Sequence, residues 1–249
     1  MELSLPRRVV PELLDGLSAG DPRAQRSRAD LQRLHRAMAT LTIVRGALDR
    51  ATVLSTPRTI VELGAGDGSL MLRLAKQKAA DWPGVHVTLL DRLNLVTPQT
   101  LKGLCDVGWN PAVETTDVFD WLDKPDDTRR DIVFANLFMH HFSPDELVRL
   151  LKGIAARADV FVCCEPRRAV LPLAASYLVG ALGAGPVTRE DAVLSVRAGF
   201  RAQELSEHWP DRHEWILEEH SAGLFSHCLI AMRSDGTKGG TKGGPRGGI

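Results

Sequence analysis

The chain has 249 residues, 44% of them hydrophobic, enough for one sizeable core with decorations. Lys+Arg and Asp+Glu each number 31, so the net charge is zero, which argues against a broad electrostatic nucleic-acid surface. No apolar run approaches the ~18–20 residues of a membrane span, the N-terminal MELSLPRRVV lacks a secretory apolar region, and Cys105, Cys163, Cys164 and Cys228 have no metal-type spacing; a cytoplasmic protein with reduced thiols and no metal is expected.

Residues 1–55 read as helical. A short segment starts at Pro11-Glu12-Leu13-Leu14 and breaks at Gly20-Asp21-Pro22. A longer pattern, residues 30–54, puts Leu31, Leu34, Met38, Leu41, Val44 and Leu48 on one face, a spacing that usually means core packing.

Residues 59–76, TIVELGAGDGSLMLRLAK, organise the rest. An apolar run carries Glu62 near its end, three glycines follow at alternate positions (Gly64, Gly66, Gly68), and Leu70 and Leu74 open a helical pattern. A buried strand turning sharply into a helix fits this order. The glycines allow positive φ and let a ligand approach bare backbone around Ala65, while the helix N-terminus offers free N–H groups. A dinucleotide turn, G-x-G-x-x-G, would need glycine at position 69, where Ser69 stands. A purely structural turn remains the bland alternative.

Residues 85–90 read as a second strand ending in Asp91-Arg92. A carboxylate there, about twenty residues past the last glycine, can accept from both hydroxyls of a ribose. His86 inside that strand reads as a packed histidine, and Leu101 to Leu104 as part of a helix. A short third strand, residues 113–116, leads to Asp117-Val118-Phe119-Asp120-Trp121, where Asp120 is one candidate for a helix cap. Residues 124–130 form a charged, solvated turn. The fourth strand, residues 131–136, ends on Asn136-Leu137 and runs into Phe138-Met139-His140-His141-Phe142. Ser143-Pro144-Asp145-Glu146 is a strong helix start with a capping box, and that helix extends to Arg157. The fifth strand, residues 160–164, ends in Glu165-Pro166.

Residues 167–190 are small and apolar and read as an inserted helical cap; residues 191–205 read as a helix or turn. Residues 214–218 and 225–231 are the last two strands, an antiparallel pair, and residues 234–249 form a Gly/Lys-rich disordered tail.

The E-x-G-x-G-x-G turn from Glu62, Asp91 after the second strand, Asp117 after the third and Asn136 after the fourth together resemble the class I S-adenosylmethionine-dependent methyltransferases over residues 58–232. The resemblance implies a doubly wound, Rossmann-like α/β fold: a seven-stranded, mostly parallel sheet with an antiparallel last strand, the seventh inserted between the fifth and sixth, and an N-terminal helical lid. It implies S-adenosylmethionine held by Glu62, Gly64, Ala65, Gly66, Gly68, Asp91, Arg92, Asp117, Val118, Asn136 and Leu137, with Asp117 accepting from the adenine amine and Val118 against its ring. LFMHHFSPDELVRLL, the N-terminal segment and DAVLSVRAGF are similar to small-molecule methyltransferases of ubiquinone biosynthesis and those encoded beside type III polyketide synthases.

His140-His141-Phe142-Ser143 also resembles the His-Asp-Trp-Ser tract of plant phenol O-methyltransferases, which carries their general base. The likeness makes His140 the base and Glu165 its orienting acid; His141 replaces the aspartate. A phenol has a pKa of about 10 and needs a base near neutrality, a role suited to histidine. The expected activity is methyl transfer to a hydroxyl of a phenolic, quinol or polyketide-derived small molecule. Carbon methylation of a quinone precursor and a non-catalytic cofactor-binding module are the alternatives. An Asn-Leu-Phe-Met run at position 136 disfavours DNA amino-methylation. The oligomeric state is left open between monomer and homodimer.

Overall fold

The computed structural model describes residues 5–53, 56–125 and 128–234. Its centre is a seven-stranded sheet in the order β3-β2-β1-β4-β5-β7-β6. The strands are β1 Thr59–Leu63, β2 His86–Asp91, β3 Asn110–Thr115, β4 Arg130–Asn136, β5 Ala158–Pro166, β6 Trp215–Ala222 and β7 Ser226–Arg233. β1 to β5 pair in parallel, whereas β7 runs antiparallel to both β5 and β6. The expected fold class and the insertion of the seventh strand between fifth and sixth are both found.

The helices are α1 Pro22–Ala37, α2 Thr40–Ala51, α3 Ser69–Lys78, α4 Pro98–Asp106, α5 Val118–Asp123, α6 Pro144–Arg157, α7 Val170–Ser176 and α8 Pro186–Ala198. Strand residues alternate between two cores because successive side chains point to opposite faces. Ile132 and Phe134 of β4 join Val162 and Cys164 of β5 under Val44 and Leu48 of α2 and Leu74 of α3. Val133 and Ala135 join Phe161 and Cys163 under Leu147, Leu150 and Ile154 of α6. Both faces of the sheet are therefore covered, which explains why the central strands read as continuous apolar runs.

Several boundaries differ from the sequence reading. The expected helix over residues 30–54 is two helices, and the first starts eight residues earlier, where Asp21 caps it by accepting from Arg23 N at 2.8 Å. The break falls at Ala39, in the left-handed region at φ 54, with no glycine or proline to announce it. Residues 5–13, read as part of a helical region, run as an irregular strap ending in a 3-10 turn at Leu14–Gly16. β3 starts at Asn110, earlier than residue 113; it lies at the sheet edge, where Pro111 is tolerated without an N–H. His86, expected to be packed, is exposed at the start of β2. The cap of α5 is Asp117, which accepts from Phe119 N at 2.8 Å, and Asp120 lies in the first turn. α6 has the expected capping box between Ser143 and Glu146. The expected disordered tail lies outside the described residues, Ser234 apart.

Candidate active site

The C-terminal ends of β1, β2, β4 and β5 bring the predicted residues to one edge of the sheet, the place where open α/β sheets bind ligands. Gly64, Gly66 and Gly68 all have positive φ, at 68°, 56° and 70°. A Cβ at Gly64 would stand 2.4 Å from the Phe138 ring, so the turn is packed against the segment after β4. A Cβ at Gly66 would meet nothing within 4 Å: this backbone faces open space. Ala65 is buried, and its N–H donates to Leu90 O at 3.0 Å, tying the turn to β2.

Asp91 stands at the end of β2 with each carboxylate oxygen accepting one backbone N–H: Gly66 N at 2.8 Å and Leu93 N at 2.9 Å. Each oxygen retains accepting capacity for a hydroxyl. Asp67, two residues before Ser69 at the start of α3, accepts from Ser69 N at 3.0 Å, and Gln32 of α1 donates to its other oxygen at 2.6 Å. The N-terminal helix thus touches the glycine turn directly.

Glu62 is buried at 3% exposure, and its Oε2 has no hydrogen-bond partner among the described residues. Burial, reinforced by the charges of Asp67 and Asp91, pushes its carboxyl well above the ordinary carboxylate range. Asn136 Oδ1 is likewise buried and unpartnered. Buried polar atoms are normally satisfied, so two orphaned oxygens at the ends of β1 and β4, next to the glycine turn, form a set fitted to a donor-rich ligand. S-adenosylmethionine, with its ammonium, sulfonium and ribose hydroxyls, has that chemistry.

Other expected residues sit less directly. Val118 is buried at 3% exposure in the core beside Trp121 and Leu90. Leu137 takes φ 53, and its N–H donates to Cys164 O at 2.9 Å. Arg92 is exposed and reaches Asp15 at 3.8 Å rather than the glycine turn.

His140 is held from behind by Glu165. It lies in a 3-10 turn, Met139–His141, directly after β4. Glu165, fully buried on β5, accepts from Phe138 N at 3.0 Å and Met139 N at 2.9 Å through Oε1, and from His140 N at 3.3 Å through Oε2. The same Oε2 meets His140 Nδ1 at 2.8 Å. The carboxylate therefore fixes both the turn and the ring, and its bond to Nδ1 leaves Nε2 as the nitrogen that carries the lone pair in the neutral form.

What faces Nε2 has no signature in the sequence. Glu12 Oε1, from the strap, stands 3.3 Å away, and Glu12 also accepts from Ser195 Oγ of α8. His141 Nδ1 meets Asp15 Oδ2 at 3.2 Å. Asp191 of α8 pins the strap by accepting from Leu13 N at 2.8 Å and Leu14 N at 3.0 Å. Arg7 adds bonds to Ala198 O at 2.8 Å and Phe142 O at 2.9 Å. Burial opposes the charge on His140, but the hydrogen bonds and charges of Glu12 and Glu165 outweigh it and raise its pKa from 6.5 to about 9. Burial likewise opposes the charge on Glu12, yet its bond to His140 holds the carboxyl below the usual range. Asp191 goes the other way: burial raises it to about 6.

No protein-family model and no curated protein sequence matches the chain. Solved structures do. The plantazolicin methyltransferase BpumL in complex with a monoazolic desmethylPZN analog and SAH is similar at TM-score 0.62 and 11% identity, over 86% of this chain and 91% of that one. The pyocyanin biosynthetic protein PhzM is similar at TM-score 0.56 and 17% identity, over 90% of this chain and 62% of that one. The mitomycin 7-O-methyltransferase MmcR is similar at TM-score 0.52 and 18% identity, over 89% of this chain and 60% of that one. At such identities the likeness is one of architecture, and together with the strand order and the glycine turn it gives this chain the fold of the class I S-adenosylmethionine-dependent methyltransferases.

Proposed function

We propose that the chain is an S-adenosylmethionine-dependent methyltransferase acting on a hydroxyl of a phenolic, quinol or polyketide-derived small molecule, with His140 as general base. The observation that carries this reading is the buried 2.8 Å contact between His140 Nδ1 and Glu165 Oε2, at the same sheet edge as the glycine turn. The structural neighbour in complex with SAH supports the cofactor, and a second neighbour, the mitomycin 7-O-methyltransferase, supports oxygen as the acceptor atom.

Glu62, Gly66, Asp91 and Asn136 would hold the cofactor, which supplies a methyl carbon already activated by its sulfonium. The protein's part is to align the acceptor and take its proton. With Glu12 in contact, His140 is a cation near neutral pH and has no lone pair to offer. The acceptor hydroxyl must take the place of Glu12 at Nε2; Ser195 then remains as an anchor for the displaced carboxylate. His140 Nε2 would take the hydroxyl proton, and Glu165 at Nδ1 would stabilise the imidazolium formed. The strap and α1 would close over both sites, consistent with their contacts to His140, Asp67 and Arg92. Residues 167–190 would border the acceptor; Leu171, Tyr177, Leu178 and Leu182 there are exposed and apolar, as an apolar acceptor requires. A cytoplasmic enzyme fits the free cysteines.

The test is transfer of a labelled methyl group from S-adenosylmethionine to a panel of phenols and quinols, wild type against His140→Ala. The expected loss in kcat is roughly 10²–10⁴-fold, the usual contribution of a positioned base, with partial recovery at high pH where the phenol ionises unaided. Near-wild-type turnover by His140→Ala on an accepted phenol would remove the base assignment.

A further inference from the structure

Glu12, His140 and His141 each offer one donor atom, and the three atoms lie within 4.8 Å of one another. They come from two distant parts of the chain, the strap and the turn after β4, so their meeting is a product of the fold. We propose that these three side chains form a binding site for a single zinc-class divalent cation, with Glu12 as the oxygen ligand and the two imidazoles as nitrogen ligands.

Four features beyond proximity carry this. The first is spacing: two ligands on a tetrahedral zinc, with metal–donor bonds of about 2.0–2.2 Å, stand roughly 3.3–3.5 Å apart. Glu12 Oε1 and His140 Nε2 are 3.3 Å apart, long for a charge-assisted hydrogen bond but right for two ligands of one ion.

The second is the backing of each ring. His140 Nδ1 bonds Glu165 and His141 Nδ1 bonds Asp15, at 2.8 Å and 3.2 Å. Metal-bound histidines almost always give their other nitrogen to a carboxylate, carbonyl or water, which fixes the tautomer and makes the ligand nitrogen more basic. Here both rings have that partner before any ion arrives, and a cation taken through Nε2 of each ring leaves both bonds in place.

The third is the closeness of the rings, with centroids 4.2 Å apart and planes 34° apart. One cation held by a nitrogen from each ring makes use of that closeness. The fourth is charge: Glu12, Asp15 and Glu165 place three carboxylates around the pair, enough to balance a divalent ion in a largely buried place.

The donor set fixes the class of ion. Two imidazoles with one carboxylate suit zinc, cobalt or nickel, and three protein ligands leave one position for water or a hydroxyl. Calcium and magnesium, which want six or more oxygens, are excluded. His141 is 26% exposed, so an ion can reach it from solvent.

The ion would occupy His140 Nε2, the nitrogen that takes the proton in the proposed reaction, so ion and acceptor exclude each other there and the test reads ion binding and never turnover. Chelator-stripped full-length protein is titrated with Co²⁺ and with Zn²⁺, following the visible absorption of Co²⁺ and the heat of Zn²⁺ binding, for wild type, His141→Ala and Glu12→Gln. Circular dichroism confirms that each variant is folded, and a parallel titration with S-adenosylhomocysteine reports on the methyltransferase reading separately. The expected result is one ion per chain with an intense tetrahedral-type Co²⁺ band, and affinity at least tenfold weaker in both variants. His141→Ala, which changes a partly exposed side chain, keeps the test informative should Glu12→Gln loosen the strap. Absence of stoichiometric binding to wild type overturns the proposal, as does binding that survives both substitutions, which would mark an adventitious surface ion. Either failure leaves S-adenosylhomocysteine binding, and with it the methyltransferase reading, untouched.

Discussion

Glu12 and His140 are 128 residues apart in the chain, yet the carboxylate of one stands 3.3 Å from Nε2 of the other, the ring nitrogen that Glu165 does not hold. The consequence is a histidine whose protonation depends on where the N-terminal strap lies. With the strap down, carboxylates on both nitrogens hold the ring as a cation; with Glu12 withdrawn, only Glu165 remains.

Glu12→Gln removes one of the two charges that raise His140. The pKa of the free enzyme's base should then fall from about 9 toward its ordinary 6.5. The ascending limb of kcat/KM against pH, measured with a chelator present, is expected to move to lower pH by the same shift. An unmoved limb would mean that Glu12 does not govern the base.

The same shift has a stability signature. The folded-state pKa of His140 lies above its unfolded value, so the group contributes stability that is fully present below pH 6.5 and is lost as pH rises through about 9. Across that window the wild-type Tm should fall more than that of His140→Gln. Equal slopes in the two melting series would contradict a raised pKa.

Asp91→Ala should weaken S-adenosylhomocysteine binding at least tenfold, since each charge-assisted hydrogen bond is worth roughly 1.5–3 kcal/mol. Part of the loss comes indirectly, because Asp91 also holds Gly66 N at 2.8 Å and so shapes the turn. The expected melting temperature stays close to wild type, as Asp91 is only half-buried. An unchanged dissociation constant would make Asp91 a loop anchor alone.

Asp191→Asn should loosen the strap from α8. Asp191 holds Leu13 N and Leu14 N, and the neutral amide accepts more weakly. Proteolysis within residues 5–16 should become faster while the core, followed by far-ultraviolet circular dichroism, is unchanged. A protected strap in the variant would show that Arg7 and its bonds to Ala198 and Phe142 suffice.

Much of the sheet was legible because its information is local. The glycines at 64, 66 and 68 need positive φ, the capping box at Ser143 and Glu146 announces α6, and β4 and β5 read as buried apolar runs. The helix break at Ala39 was not legible, since an alanine in the left-handed region carries no signature. The strap was missed for another reason. Pro11-Glu12-Leu13-Leu14 looks like the start of an α-helix, and what holds it as a strap ending in a single 3-10 turn is Asp191, far away in sequence. His140 and Glu165 stand at the ends of adjacent strands and could be paired by position, whereas Glu12, Asp15 and Ser195 reach the same place only through the folded N-terminal segment.

The central claim is that the open backbone at Gly66, with Glu62 and Asp91 beside it, is a seat for S-adenosylmethionine. Isothermal titration of the full-length protein with S-adenosylhomocysteine, and separately with NAD, addresses it most directly. The account predicts saturable binding of S-adenosylhomocysteine at one site per chain and no heat from NAD. Tight NAD binding with none by S-adenosylhomocysteine would contradict it.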